Sequence, residues 1–166
     1  MKAILAFCLA LPTLACAQSC LSLVCDPPAI NVTPSALPTN PGDLGFRCGF
    51  SLAEDPRAVM LFADGSDAQV PRRALITING RPIFLKPTGL KLILQNPREG
   101  ISVGDTEEMD FAAEGVRVHV LATVTGVCPP ESDEDPTCEV TEYAATIDVT
   151  SGTSSVSIDT VGTCGS

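Results

Sequence analysis

A chain of 166 residues with ten basic and twenty acidic side chains carries a net charge of −10, which sets it against phosphate and disfavours nucleic acid and anionic headgroups as partners. With no tryptophan, one tyrosine and one histidine, it has few flat rings for stacking sugars or bases and few groups for general-base chemistry. The length suits one domain, large enough to bury a core of Val, Ile, Leu and Ala.

Lys2, the apolar run from Ala3 to Leu14 and the small residues of Ala15-Cys16-Ala17 read as a signal peptide over residues 1–17. The run is shorter than the roughly 20 residues of a membrane helix, and charge or proline interrupts every later apolar run. The chain is therefore expected to be exported, periplasmic or secreted, with no transmembrane segment. A lipid anchor at Cys16 is the alternative, because Thr13-Leu14-Ala15-Cys16 sets a small residue before a cysteine. Lipoprotein signals carry leucine where this chain has Thr13, which favours simple cleavage. Six cysteines remain: Cys20, Cys25, Cys48, Cys128, Cys138 and Cys164. An even set in an exported chain reads as a disulfide framework.

Residues 18–43 form an extended arm, because five prolines between Asp26 and Asp43 remove N–H donors and fix φ. A disulfide-stapled β-domain is expected over residues 44–166. Leu44, Phe46, Cys48, Phe50 and Leu52 alternate with small or polar residues, the period of a strand with one buried face. Arg57 to Ala63 is nearly continuously apolar, which predicts a more buried strand ending at Asp64-Gly65. Asn79-Gly80 between Leu75–Ile78 and Ile83–Lys86 predicts a hairpin with Ile76 opposite Ile83 and Leu75 opposite Phe84. Pro82 then turns its missing donor away from the partner strand, toward a sheet edge. Leu90, Leu92 and Leu94 mark a further strand ended by Asn96-Pro97. Residues 106–114 are ambiguous: Asp105-Thr106-Glu107-Glu108 suits a helix start, whereas Met109, Phe111 and Ala113 alternate toward a turn at Glu114-Gly115. The alternation is the preferred reading.

Alternation is clearest in the last third, where Val116 to Val124 and Tyr143 to Val149 each keep a period of two. Pairing Val124 with Tyr143, Val120 with Ile147 and Val118 with Val149 requires one extra residue, expected near Thr141 and Glu142. Ser151-Gly152 then turns into a last strand carrying Val156 and Ile158.

Cys128 and Cys138 bracket the loop between these paired strands and are predicted to bond each other. Cys20, Cys25, Cys48 and Cys164 admit three pairings: Cys20 and Cys25 with each other, or either of them tying the arm to Cys48 or Cys164. With neither CxxC pairs nor a second histidine, no metal is expected, and no cofactor motif occurs. His119 falls in the polar phase opposite Asp148, where a cross-strand pair is ordinarily structural.

Charge divides unevenly. From Gln18 to Arg98 eight basic residues face six carboxylates, whereas from Glu99 to Ser166 fourteen carboxylates face only Arg117. Four of those carboxylates, Glu131, Asp133, Glu134 and Asp135, crowd the Cys128–Cys138 loop and form the candidate partner surface. In class the chain resembles the small exported β-barrel inhibitors of lysozyme, which are disulfide-bonded and meet a cationic enzyme. Their serine-glycine-tyrosine signature is absent, and Tyr143 has no such context.

The sum of these readings is an all-β fold: an antiparallel sandwich or flattened barrel of seven to nine strands with at most one short helix. The function expected is a non-catalytic exported binding or accessory domain whose acidic surface meets a cationic protein. The competing expectations are a hydrolase built on carboxylates or His119, and a lipid-anchored envelope protein or inhibitor of a cationic enzyme.

Overall fold

A computed structural model of the chain describes residues 29–34, 46–63, 73–95, 101–128 and 140–165. The predicted leader, together with Cys20, Cys25, Cys138, Glu131, Asp133, Glu134 and Asp135, lies outside the described residues. Eight strands follow in order: β1 (Cys48–Leu52), β2 (Asp55–Ala63), β3 (Arg73–Ile78), β4 (Arg81–Ile93), β5 (Thr106–Ala113), β6 (Val116–Val127), β7 (Val140–Ser151) and β8 (Ser154–Gly165). Each strand pairs antiparallel with the next, and β1 pairs with β8 to close an up-and-down barrel. There is no helix among the described residues. Closure removes the sheet edges that a sandwich would leave open.

The second half follows the predicted alternation closely. Met109 and Phe111 of β5, Val116 to Val124 of β6 and Tyr143 to Val149 of β7 send every second side chain inward, and these are buried. Residues 106–113 are a strand because the Glu114-Gly115 turn, with both φ positive at 47° and 80°, is the two-residue hairpin that suits twisted strands. The predicted pairs Val124–Tyr143, Val120–Ile147 and Val118–Val149 all form. The extra residue, however, sits on β6 between Val124 and Gly126, not at Thr141 and Glu142. Gly126 follows it, opposite Glu142, whose carboxylate lies 2.7 Å from where a Cβ would stand.

The first half is less regular. Val59 to Ala63 of β2 and Ala74 to Ile78 of β3 are buried on both faces. Met60, Phe62 and Ile76 join the barrel core, while Leu61, Ala63, Leu75 and Phe46 form a second cluster on the outside. The predicted pairs Ile76–Ile83 and Leu75–Phe84 form across Asn79-Gly80. The two segments expected around Ile83 and Leu90 prove to be one strand, β4, whose phase is reset by a bulge between Pro87 and Gly89. The described part of the arm packs on the barrel: Val32 bridges Ile78 and is buried in the core. Thr33 N–H donates to Thr77 O (3.1 Å) and Asn79 N–H to Asn31 O (2.7 Å).

Of the three pairings open to the four unassigned cysteines, the two that tie the arm to Cys48 or Cys164 are excluded. Cys48 and Cys164 bond each other across the β1–β8 seam, where register places them directly opposite with Cα atoms 4.0 Å apart. Cys128 at the end of β6 is also disulfide-bonded, and its sulfur accepts the Val140 N–H at 3.1 Å.

Candidate functional site

Alternation dictates what β5 to β8 present outward. Register lines up Glu108, Leu121, Thr146 and Asp159 in one row, Asp110, His119, Asp148 and Ser157 in the next, and Ala112, Arg117, Thr150 and Ser155 in a third. Glu142 stands beyond the first row, opposite Thr163. The wall thus carries five carboxylates against Arg117 and His119, and Lys91 of β4 reaches Glu108 at its margin at 3.4 Å. Four of them, Asp110, Glu142, Asp148 and Asp159, are exposed, and strands paired on both sides hold their main chain. A lipid-facing barrel needs an apolar outward band, and this wall is the reverse. No helix among the described residues is long and apolar enough to cross a membrane.

His119 lies at the centre of the wall. It stands opposite Asp148, as its spacing predicts, but its hydrogen bond goes to the other neighbour: Nδ1 is 2.9 Å from Asp110 Oδ1. The signal for this contact was present in the chain. A two-residue turn at Glu114-Gly115 places Ala113 opposite Val116 and therefore Asp110 opposite His119. Glycine helps here too, since a Cβ on Gly89 would approach Asp110 Oδ2 to 2.9 Å.

A shallow depression of about 490 Å³ surrounds the pair, lined also by Thr88, Arg117 and Thr150. A carboxylate-oriented imidazole can act as a base, but acyl transfer needs donors aimed at a developing oxyanion. Arg117 is the one Lys or Arg side chain lining the depression, and Thr88 at the β4 bulge and Thr150 add hydroxyls. No described cluster of His, Cys, Asp and Glu has the geometry to hold a metal ion.

Two further carboxylates are structural. Asp105 is fully buried, and its carboxylate accepts the N–H groups of Gln95 (2.6 Å) and Ser102 (2.7 Å), which pins the β4–β5 connection. These hydrogen bonds, that from Gln95 foremost, hold its pKa below the ordinary value. Glu107 faces inward and accepts the Tyr143 hydroxyl at 3.1 Å. Burial, then the Glu107 charge, pushes the Tyr143 pKa well above its usual range. The predicted partner surface, Glu131 to Asp135, belongs by sequence to the connection between β6 and β7, outside the described residues.

No family model matches the chain, and no curated protein or solved structure matches it either.

Proposed function

We propose that the protein is an exported, non-catalytic binding domain that meets a cationic protein on the acidic wall of β5 to β8. The observation that carries this reading is the wall itself, where Asp110, Glu142, Asp148 and Asp159 are exposed beside one arginine on strands paired on both sides, Glu108 being paired with Lys91. Fixed charges dock with less loss of side-chain and loop entropy than charges on a flexible tail, and like-sign fields steer an oppositely charged partner. By sequence, Glu131, Asp133, Glu134 and Asp135 add four more carboxylates between β6 and β7. The Cys48–Cys164 disulfide suits an oxidising compartment, periplasmic or extracellular.

The test is capture of a basic protein from envelope or culture extract by the tagged chain. Binding should be released between about 50 and about 500 mM salt, as screening of surface charge requires. A variant carrying Asp110→Asn, Glu142→Gln, Asp148→Asn and Asp159→Asn should retain about a tenth of the captured protein or less. Capture indifferent to both salt and these substitutions would remove the proposal. Substrate turnover lost on His119→Ala would favour a hydrolase instead.

A further inference from the structure

His119 is the one histidine of the chain and stands half-exposed in the middle of the acidic wall. Histidine is the side chain that ordinarily changes charge between about pH 5 and about pH 8, whereas carboxylates, lysine and arginine keep theirs. What such a change does to the wall is decided by the groups around the ring.

The strands beside His119 present a defined set of charges. From β5, Asp110 Oδ1 meets Nδ1 at 2.9 Å, and from β7 exposed Asp148 stands directly opposite. On β6 itself, Arg117 lies two residues along the same face, and Lys86 of β4 ends the row that Arg117 belongs to. Glu108 of β5 is paired with Lys91, and Asp159 of β8 accepts the Thr146 hydroxyl at 2.9 Å. Thr88 of β4 lines the depression without a charge.

The contact with Asp110 fixes which nitrogen titrates. A carboxylate only accepts, so Nδ1 carries the proton of the neutral ring and Nε2 is the basic site. Protonation at Nε2 leaves the bond to Asp110 in place and adds a positive charge between two carboxylates. The ring need not move; the field changes. Asp110 and Asp148 attract a cation while His119 is neutral, and an imidazolium between them cancels half of their charge. We propose that His119 is a pH switch on the wall, which holds a cationic partner while the ring is neutral and releases it as Nε2 takes up a proton. The switch rests on the reading of the wall as the docking surface for such a partner. Proton and partner compete for the same two carboxylates, so each weakens the other by the same factor. Affinity is highest at about pH 8 and declines toward about pH 5.5.

Fluorescence anisotropy with rhodamine-labelled decalysine, whose ammonium groups stay charged throughout, measures the effect at low salt. The full chain, free of a histidine tag, should bind about three to ten times more weakly at about pH 5.5 than at about pH 8, as one added charge near the contact requires. His119→Gln should bind within about twofold at the two pH values, and His119→Lys should bind weakly at both. A measurement on the unaltered chain makes the same test without a substitution. The Hε1 resonance of the one histidine follows its titration by NMR, and saturating decalysine should lower the proton affinity of the ring by the same factor. Decalysine that fails to bind at about pH 8 removes the wall as a docking surface, and the switch with it. Decalysine that binds there, but loses affinity equally in His119→Gln or leaves the histidine titration in place, keeps the wall and overturns the switch.

Discussion

The two halves of the barrel bury different numbers of faces. From β5 to β8 one face packs inward and the other meets water, so Val118, Val120 and Val124 alternate with Arg117, His119 and Thr123. In β2 and β3 both faces are covered, and Val59 to Ala63 are buried without a break. Periodicity therefore reports burial on one side only. Where a second layer lies over a sheet, the pattern becomes a continuous apolar run, and the run does not say what covers it. Here Phe46 joins Leu61 and Leu75 on the outer face, and Arg73 stacks over the Phe46 ring at 5.4 Å.

The largest effect should come from the bond that joins the halves. Cys48 belongs to the first half and Cys164 to the second, with 116 residues between them. In the chain-entropy model a loop of this length contributes about 4–5 kcal/mol. Replacing both cysteines with alanine should lower Tm by on the order of 10 °C or more. Hydrogen exchange should speed first in β1 and β2, and equal acceleration in β6 and β7 would break the distinction between the halves.

A pair of outward leucines sharpens it. Leu61 of β2 is 5% exposed and Leu121 of β6 is 42% exposed, though both point away from the barrel core. Leu61→Ala should cost about 2–3 kcal/mol in urea unfolding and Leu121→Ala about 0.5 or less. Similar costs would mean that the outer layer over β2 contributes nothing.

Acid should find the carboxylate at Asp105. Its pKa is depressed in the folded chain, so its stabilisation is present above the ordinary value of 3.8 and is lost as pH falls through the folded value. Asp105→Asn should lower Tm by on the order of 5 °C at neutral pH. It should also flatten the decline in Tm below about pH 4, and an unchanged acid profile would contradict this account.

The smallest effect belongs to the one tyrosine of the chain. The Tyr143 pKa is raised, so its contribution is intact below the ordinary value of 10.0 and is lost as pH rises through the folded value. Phenolate absorbance in an alkaline titration reports this side chain alone. Its rise should coincide with unfolding. Ionisation at the ordinary pH in a folded chain would show that Glu107 and burial do not hold the phenol.

Much of the fold was legible because its signals are local. Asn79-Gly80 and Glu114-Gly115 set two hairpins, and each hairpin fixes a register by counting outward from its turn. The cross-strand pairs of β6 and β7 followed from phase alone. The site was less legible. Asp148 opposite His119 could be counted, but the choice of Asp110 as hydrogen-bond partner depends on how two strands flank one side chain.

By itself, then, the chain of residues determined the all-β class, the closely alternating second half and the excess of carboxylates there. These depend on side-chain period and turn chemistry within a few residues. Only the tertiary structure decided that the sheet closes on itself, that Cys48 meets Cys164, and that the β6 bulge falls beside Gly126. It also decided that Val32 of the arm enters the core and that the segments around Ile83 and Leu90 join into one bulged strand, β4. Each of these depends on contacts between segments far apart in the chain, whose closure is governed by packing across the barrel and leaves no periodic trace in either segment.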